Sequence, residues 1–557
     1  MVLIEQRNYL KFISLFISFF STLCLSAQWY FFALELQPKE EYSLAGSSHF
    51  LSNNALLKRQ KKGLNISNFD YRITEKRLIQ IASEGHEIVY KSKWLNTVVV
   101  VVNGTEINND PAQFKPKSKF VIQTRLIEIL TNKQWPVTRD SGLSKTKILT
   151  NPQDKSDKYG FAAANTDFLG LRELHDKGFN GKGVDVYVFD GGFTNVHRLS
   201  AFDSMRKQGR FLGEFNHSLN TSSIYASGQH GTQVLSCMAA FVPHTYMGTG
   251  YGANYGIMAT ETGQFESPLE EWAYIEALEH ASELGVDLIQ SSLGYTTFDS
   301  RQFGHFETDL INKDIPIIKA CSIASQLGIL LVNSAGNEGN DNWHYVGFPA
   351  VSPDVIAVAA ATSKGEMGPF SSYGYISGPP KPNATAIGVR TKVISGSGYI
   401  VDASGTSFAA PTLAGAMTCL IQLFPNKMPD YSRQVLCTIS SHSLRHHHQS
   451  GYGIPNFSLA LFADKKQEFP FFTNTYFKDT ITSITELKTF AYPNKRLKYC
   501  IENSSKDIVA SGKFSNINAI SQGVLIPSIP GGSYTIVVKR GLKKWKKCFY
   551  FAGSNSI

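Results

Sequence analysis

Three side chains in this sequence are of the types that together hydrolyse carboxylic acid derivatives: an aspartate, a histidine and a serine. Asp190 ends an apolar run and precedes two glycines, His230 opens an apolar stretch, and Ser407 lies in the run Gly-Thr-Ser-Phe-Ala-Ala-Pro. In a triad of this kind the serine hydroxyl attacks a carbonyl carbon, the histidine takes its proton, and the aspartate orients the imidazole. The residue types therefore predict acyl transfer with Ser407 as the nucleophile.

A fourth side chain is of a type that stabilises the negative charge on the attacked carbonyl oxygen. Asn337 follows the apolar run 328–333, and a side-chain amide aimed at that oxygen is an established type of oxyanion donor. Taken alone, each motif has a plainer interpretation: Asp190 as a turn residue, His230 as a surface histidine, and Asn337 as a turn asparagine bonded to its own backbone. Their number and order along the chain favour the catalytic interpretation.

The segments around these residues alternate apolar runs with helical periodicity, which predicts a parallel sheet with crossover helices over residues 159–463. The predicted strands are 183–189, 286–291, 328–333 and 354–360, and the predicted helices are 269–284, 317–327 and 407–423. Asp190 is expected at the carboxyl end of its strand, where sites form in such sheets. His230 is expected at a helix N-terminus, where the helix dipole would lower its pKa. Pro411 is expected in the first turn of the serine helix, where it would remove no hydrogen bond.

At this point the four motifs resemble those of the subtilisin-like serine proteases, the subtilases. The chain order Asp190, His230, Ser407 is the order of that family, and the asparagine falls between the histidine and the serine. The resemblance implies that these three residues are catalytic and that Asn337 is the oxyanion donor. The chain departs from the pattern at Gly191, where many members carry Ser or Thr, which removes a hydroxyl near the triad but no triad group.

The same resemblance implies a substrate pocket for the residue before the scissile bond (P1). The walls and base of that pocket are assigned to seven residues: Ser292, Leu293, Gly294, Ser334, Ala335, Gly336 and Gly347. Phe348 and Pro349, beside the pocket base, are expected to be joined by a cis peptide bond. Because the glycines leave room and none of the seven residues supplies a charge, the pocket is predicted to prefer Phe, Tyr, Leu or Met over charged residues.

The resemblance implies an α/β subtilisin-like three-layer fold and a serine endopeptidase that forms an acyl-enzyme. No cofactor is required for this chemistry and no metal site is predicted, although structural calcium stays open because no acidic loop has a recognisable ligand spacing. His446, His447 and His448 are interpreted as a surface loop. The lipase motif G-x-S-x-G and the metalloprotease motif H-E-x-x-H are absent. A catalytically inactive adhesin or binding module with the same fold is the alternative from another functional class.

The N-terminal part of the chain carries three predicted segments. Residues 1–27 combine basic residues, a short apolar run and small residues before Gln28, which predicts a signal peptide and a secreted or cell-surface protein. A lipid anchor on Cys24 is the alternative. Residues 28–135 hold two strand-like runs and two helical stretches, and they resemble the propeptide of secreted bacterial subtilases. Residues 136–158 are a polar linker of the kind that proteases cut.

Residues 468–557 contain short strand patterns and turn signals without helical periodicity, which predicts a small all-β module. This module resembles the β-sandwich sorting domain of the type IX secretion system, whose machinery would then be a partner. The alternative is an accessory β-sandwich that binds substrate or a surface. Cys500 and Cys548 are the predicted pair if a disulfide forms, whereas Cys237, Cys321 and Cys419 are predicted to be buried thiols.

Composition excludes several other classes of protein. The 557 residues are 42% hydrophobic and 18% charged, as in folded multidomain proteins. The net charge of +9 comes without a basic helix or a basic stretch interleaved with aromatic residues, so no nucleic-acid partner is predicted. After the signal peptide, no segment is long and uncharged enough to span a membrane. The resemblance to the subtilases implies that proteins or peptides are the substrates.

Overall fold

The computed structural model describes residues 28–37, 51–130, 157–219, 223–263, 266–443 and 445–462. Nearer the C-terminus it describes the segments 480–481, 488–489, 497–503, 505–514, 522–523, 532–540 and 543–551. The predicted signal peptide at 1–27 and most of the predicted linker at 136–158 lie outside these ranges, and they stay predictions.

The N-terminal unit, here called the prosegment, is a four-stranded antiparallel sheet with two helices. Its elements are β1 (Trp29–Leu36), α1 (Asn53–Lys61), α2 (Glu75–Ala82), β2 (Glu87–Ser92), β3 (Thr97–Asn103) and β4 (Val121–Leu130), with strand order β2-β3-β1-β4. Val98 and Val100 of β3 join a core with α2, whereas Val99 and Val101 join a core of the next domain. Both faces of the sheet are therefore buried, which explains the unbroken apolar run in β3.

The central domain is built on seven parallel strands in the order β13-β12-β11-β10-β5-β9-β6. These strands are β5 (Asp185–Asp190), β6 (Phe211–Asn216), β9 (Asn254–Ala259), β10 (Leu288–Ser291), β11 (Leu330–Ser334), β12 (Val355–Ala361) and β13 (Ala384–Ile387). Every residue of β5, β10, β11 and β12 is buried, as expected for strands covered by helices on both faces. The predicted parallel sheet is confirmed.

Helices cover both faces of this sheet and make it the middle layer of three. The apolar side chains of α6 (His230–Ala239) and α9 (Thr406–Leu423) fill the core on one face. Those of α7 (Pro268–Leu284) and α8 (Pro316–Gln326) fill the core on the other face, which the prosegment sheet also joins. The predicted three-layer α/β fold is thus confirmed, with helix starts within one residue of those predicted for α7, α8 and α9.

Shorter elements complete the central domain: α3 (Ala163–Phe168), α4 (Arg172–Asp176), α5 (Asp203–Lys207), β7 (Phe241–Val242), β8 (Tyr246–Met247), β14 (Thr391–Ile394), β15 (Ile400–Ala403) and α10 (Pro429–Ile439). The peptide bond between Phe348 and Pro349 is cis, as predicted.

Within the described part of the chain, α9 has the length and composition of a membrane-crossing helix. It is nevertheless the central core helix, since 89% of its apolar window is buried inside the domain.

The C-terminal strands form one five-stranded sheet and one two-stranded pair, in agreement with an all-β module. They are β16 (Thr480–Ile481), β17 (Lys488–Thr489), β18 (Leu497–Asn503), β19 (Ile508–Phe514), β20 (Gln522–Gly523), β21 (Gly532–Arg540) and β22 (Lys543–Phe551). Strand β21 lies between β18 and β22, so the Cα atoms of Cys500 and Cys548 are at least two strand spacings, about 9.6 Å, apart. A disulfide needs Cα atoms within about 7 Å. The predicted pairing is therefore wrong, and Cys500 is a buried free thiol, like Cys237, Cys321 and Cys419.

Candidate active site

Asp190 is the last residue of β5, and its side chain is almost completely buried at the carboxyl edge of the sheet. The backbone N–H of Gly191 donates to its Oδ1 at 2.8 Å. The hydroxyl that many subtilases carry at position 191 is therefore not needed to supply a donor to this carboxylate. The aspartate is held by the strand and by the sharp turn that follows it.

His230 is the first residue of α6 and pairs with Asp190. Its Nδ1 lies 3.0 Å from Oδ1 and 2.9 Å from Oδ2 of the aspartate. This carboxylate raises the pKa of His230, against the opposing effect of burial. The prediction that the helix dipole lowers the pKa is therefore wrong in direction, because an adjacent full charge outweighs the partial charge of a helix end. The raised pKa favours the imidazolium that forms when the histidine takes a proton.

Ser407 is the second residue of α9, and Phe408 beside it packs against the His230 ring with centroids 5.7 Å apart. Pro411 lies inside the helix and not in its first turn, which corrects the prediction. Because proline has no N–H, it cannot bond the carbonyl of Ser407 four residues earlier. That carbonyl instead accepts from the hydroxyl of Ser292 at 2.7 Å, which ties the serine helix to the end of β10.

Asn337 follows β11 and is held by Thr406, the residue before the serine. Its Oδ1 accepts from the backbone N–H of Thr406 at 2.9 Å and from the Thr406 hydroxyl at 3.0 Å. The amide oxygen is thereby engaged, and among the described residues the amide nitrogen has no hydrogen-bond partner. A Cβ placed on Gly405 would lie 3.7 Å from that Nδ2, so the donor sits beside the turn into the serine helix. An oriented amide with a free donor is what an oxyanion site requires.

The two predicted walls of the P1 pocket follow neighbouring strands, β10 and β11, and are joined by Asn333, whose Nδ2 donates to the Leu293 carbonyl at 2.8 Å. Gly294 borders open space. The Ser292 side chain is buried and donates to the Ser407 carbonyl, so it helps to position the residue that carries the candidate nucleophile. Ser334 and Ala335 are also buried.

Neighbouring side chains occupy part of the space that was predicted to be open at Gly347 and Gly336. A Cβ on Gly347 would lie 2.5 Å from Cγ2 of Thr296, and one on Gly336 would lie 2.2 Å from Oε2 of Glu338. Burial raises the pKa of the Glu338 carboxyl, which also accepts from the Ser372 hydroxyl at 2.8 Å. Sequence reasoning missed this acid, although it directly follows Asn337. The structure thus brings one titratable group to a predicted pocket wall.

Three further carboxyl groups, missed by the sequence analysis, lie together near Asp190. Ligand oxygens of Glu261, Glu266 and Glu270 are within 4.8 Å of one another, and Glu261 borders Gly191. Burial raises the pKa of Glu270 to about 7 and that of Glu261 well above its usual range. Among the described residues, these three side chains form a group whose oxygens could surround a metal ion. Glu261 follows β9, Glu266 precedes α7, and Glu270 lies in the first turn of α7.

The prosegment sheet docks on α7 through one buried carboxylate. Glu279 accepts from the Ser92 hydroxyl at 2.6 Å and from the backbone N–H groups of Lys93 and Trp94 at 3.0 Å each. Burial raises the pKa of Glu279 to about 7. Ser92, Lys93 and Trp94 lie within the predicted propeptide, and this contact gives them a physical role. No feature of the sequence around Glu279 indicated the partner.

Comparison with known proteins agrees with this arrangement. Residues 181–454 match the subtilase family, and residues 29–136 match the peptidase S8 propeptide domain of Bacteroidota. A thermostable alkaline protease of Halalkalibacterium halodurans is 26% identical over 268 residues, 48% of this chain and 64% of that protein. The minor extracellular protease Epr of Bacillus subtilis is 27% identical over 292 residues, 50% of this chain and 38% of that protein. The solved protease domain of PatA is 23% identical with a TM-score of 0.41, covering 51% of this chain and 95% of that chain.

Proposed function

Because the chain belongs to the subtilase family, we propose that it is a secreted serine endopeptidase that acts through Ser407, His230 and Asp190. The chain spans 64% and 38% of the lengths of the two relatives named above. The observation that carries the proposal is the Asp190–His230 pair, with Nδ1 2.9 and 3.0 Å from the two carboxylate oxygens. This pair adjoins α9, whose second residue is the candidate nucleophile.

The proposed cycle uses only groups of this chain. His230 accepts the Ser407 proton through its free Nε2 as the hydroxyl attacks the scissile carbonyl, while Asp190 holds Nδ1 and stabilises the imidazolium. The Asn337 amide and the Ser407 backbone N–H donate to the oxyanion. The histidine then protonates the leaving amine, and water releases the acyl-enzyme by the reverse proton transfers. No cofactor takes part in these steps.

The proposed function is tested by labelling with a fluorophosphonate, which reacts with activated serine nucleophiles. We expect the wild-type chain to be labelled on one residue, identified as Ser407 by peptide mass mapping. The Ser407→Ala chain should remain unlabelled. Ser397→Ala is a matched control because Ser397 is an exposed serine in the turn between β14 and β15. Labelling that persists in the Ser407→Ala chain, or none in the wild type, would contradict the proposal.

For specificity, we propose that P1 is a large apolar residue. Burying Phe or Leu gains about 1.5–3 kcal/mol, whereas a charged residue would have to lose its hydration. We expect Phe, Tyr, Leu or Met to be preferred over Asp and Glu by at least about tenfold in kcat/KM. A peptide library with P1 varied measures this preference.

A substitution in the pocket wall sharpens the specificity test. Gly294→Val adds bulk on the open side of one wall, so it should lower kcat/KM for P1 Phe while leaving P1 Ala nearly unchanged. Gly347→Val is unsuitable because its side chain would collide with Thr296. A preference for Lys or Arg would place the Glu338 carboxylate in the pocket, and Glu338→Gln should then abolish it. A preference for acidic P1 residues would contradict the proposal outright.

We also propose that the active form lacks the prosegment. The match to a propeptide domain supports maturation by cleavage, and the polar linker at 136–158 is the most readily cut segment. We expect mass spectrometry of the active enzyme to give an N-terminus near residue 150, with residues 28–135 missing. Full activity of an uncleaved 28–557 chain would show that the prosegment is not inhibitory. Residues 1–27 as a signal peptide and 468–557 as a sorting module complete the proposed route of secretion.

A further inference from the structure

Helix α1 of the prosegment lies against the edge of the central sheet that is remote from the triad. It contacts Asp185, the first residue of β5, whereas Asp190 ends the same strand about 16 Å away. This contact is separate from the one that the prosegment sheet makes with Glu279. The prosegment therefore binds the central domain at a second place, where no substrate-binding residue was predicted.

The centre of this contact is a lysine held between two carboxylates. Lys58 Nζ lies 2.6 Å from Oδ2 of Asp185 and 2.5 Å from Oδ2 of Asp287. The two aspartates begin or precede neighbouring parallel strands, and the Asp185 N–H also donates to Oδ2 of Asp287 at 3.1 Å. Both carboxylates are nearly buried, with 11% and 8% of their side chains exposed. Burial opposes ionisation of Asp185, yet its pKa is lowered because the Lys58 ammonium and hydrogen-bond donors lie against it.

Around this lysine, donors and acceptors are divided between the two units. Ser52 donates from its backbone to the Glu283 carbonyl at 2.9 Å and from its hydroxyl to the Leu284 carbonyl at 3.0 Å. Lys62 donates to the Gly328 carbonyl at 2.7 Å. In all described hydrogen bonds between residues 51–62 and the central domain, the prosegment supplies the donor. The carbonyls at the C-terminus of α7 carry the negative end of its dipole, so the Ser52 donors suit them.

The backbones also fit closely. Gly285 caps α7 with φ +79°, and a Cβ there would lie 2.5 Å from Cα of Ala55, a fully buried residue of α1. A Cβ on Gly328 would lie 2.9 Å from Cδ of Lys62. Because Gly285 and Gly328 carry no side chains, α1 can approach the central domain closely enough for Lys58 and Lys62 to reach their partners. Steric fit and charge complementarity are independent observations, and both point to the same occupant.

We propose that Asp185, Asp287 and the Gly328 carbonyl form a lysine-binding pocket, the edge pocket, that sets how fast the severed prosegment leaves. Its occupant is the segment 52–62 of this chain. The proposal rests on the proposed function only in that it assumes the linker is cut. Since the pocket is remote from the triad, it would retain the prosegment whether or not the substrate cleft is occupied.

The test uses the full chain with Ser407→Ala and with residues 140–146 replaced by the recognition sequence of a site-specific protease. After that protease cuts the linker, size-exclusion chromatography follows release of the prosegment at 0.1 and 0.5 M NaCl. Lys58→Met with Lys62→Met should release it at least about 30-fold faster than the parent, because each lysine leaves a buried carboxylate unpaired. The matched control is Lys61→Met, an exposed lysine on the same helix, which should release at the parent rate.

Salt gives a second readout that needs no variant. If the edge pocket sets the rate, higher salt should accelerate release in the parent, and this effect should be much smaller in the double variant. If the apolar sheet face on α7 alone retains the prosegment, salt will not accelerate release and the double variant will behave as the parent, which overturns the proposal. Circular dichroism melting of the uncut chains checks folding. Because no readout uses peptidase activity, failure here is distinct from failure of the proposed function.

Discussion

Ser407→Ala should reduce peptide hydrolysis by about 10⁶-fold, the scale known for the corresponding loss in subtilisin. The variant lacks the nucleophile but removes only one hydroxyl, and the bond from Ser292 to the Ser407 carbonyl is untouched. The fold should therefore persist, with an unchanged melting temperature. Turnover of a fluorogenic peptide measures the effect, and the exposed-serine variant Ser397→Ala is the control. Retention of more than a few per cent of the activity would rule out Ser407 as the nucleophile.

Substitutions of His230 and Asp190 should also cause large losses of activity, and combining them tests whether the three side chains act together. His230→Ala should cost nearly as much as Ser407→Ala, and Asp190→Asn about 10⁴-fold. Since the three groups act as a unit, combining two of these changes should be little worse than the more severe single change. Multiplicative losses would show that the three side chains act separately and would contradict the triad.

The pH dependence follows from the direction of the His230 pKa. The neutral imidazole is the base, so kcat/KM of the wild type should fall as pH drops through a pKa above the ordinary 6.5 of histidine. In Asp190→Asn the carboxylate that raises this pKa is absent, and the acid limb of the remaining activity should move to lower pH. An NMR titration of His230 in the Ser407→Ala chain gives the same comparison without activity.

The sequence predicted those parts of the molecule that depend on local pattern. Buried parallel strands are continuous apolar runs and helices carry their own period, so β5, β10, β11 and β12 were found with starts shifted by about two residues. The candidate triad could be named because Asp190, His230 and Ser407 each stand in a distinctive short motif. The parallel sheet with crossover helices followed from the alternation of the two patterns, whereas the three-layer fold was implied by the resemblance to the subtilases.

What the sequence did not predict depends on contacts between distant segments. Ser292 can bond the Ser407 carbonyl because Pro411, more than a hundred residues after Ser292 in the chain, has no N–H to donate to it. The helix that carries Pro411 also starts one residue earlier than predicted. The helical stretch that forms α1 was predicted from the sequence. Its partners Asp185 and Asp287 are brought together only when β5 and β10 pair in register. The direction of the His230 pKa shift was predicted wrongly for the same reason. A helix end can be recognised in the local sequence, whereas the contact with a carboxylate 40 residues away cannot.

Asn337→Ala should lower kcat by about 100- to 1000-fold with KM nearly unchanged, because an oxyanion donor bonds the transition state and not the substrate. The amide is oriented by two bonds from Thr406 to its Oδ1, which leave Nδ2 as the available donor. Steady-state kinetics on one peptide separates the two constants.

Thr406→Val is a milder substitution that tests the same role of the Asn337 amide. It removes the hydroxyl that donates to Oδ1 of Asn337 and accepts from the Gly336 N–H at 3.2 Å, yet it keeps the backbone donor and the side-chain shape. The amide should then be less firmly oriented, so kcat should fall by less than in Asn337→Ala, and the double variant should resemble Asn337→Ala alone. Additive losses would mean that Thr406 acts on another group. A change confined to KM in Asn337→Ala would mean that the asparagine binds substrate, and the oxyanion would then have to be stabilised by the Ser407 backbone N–H alone.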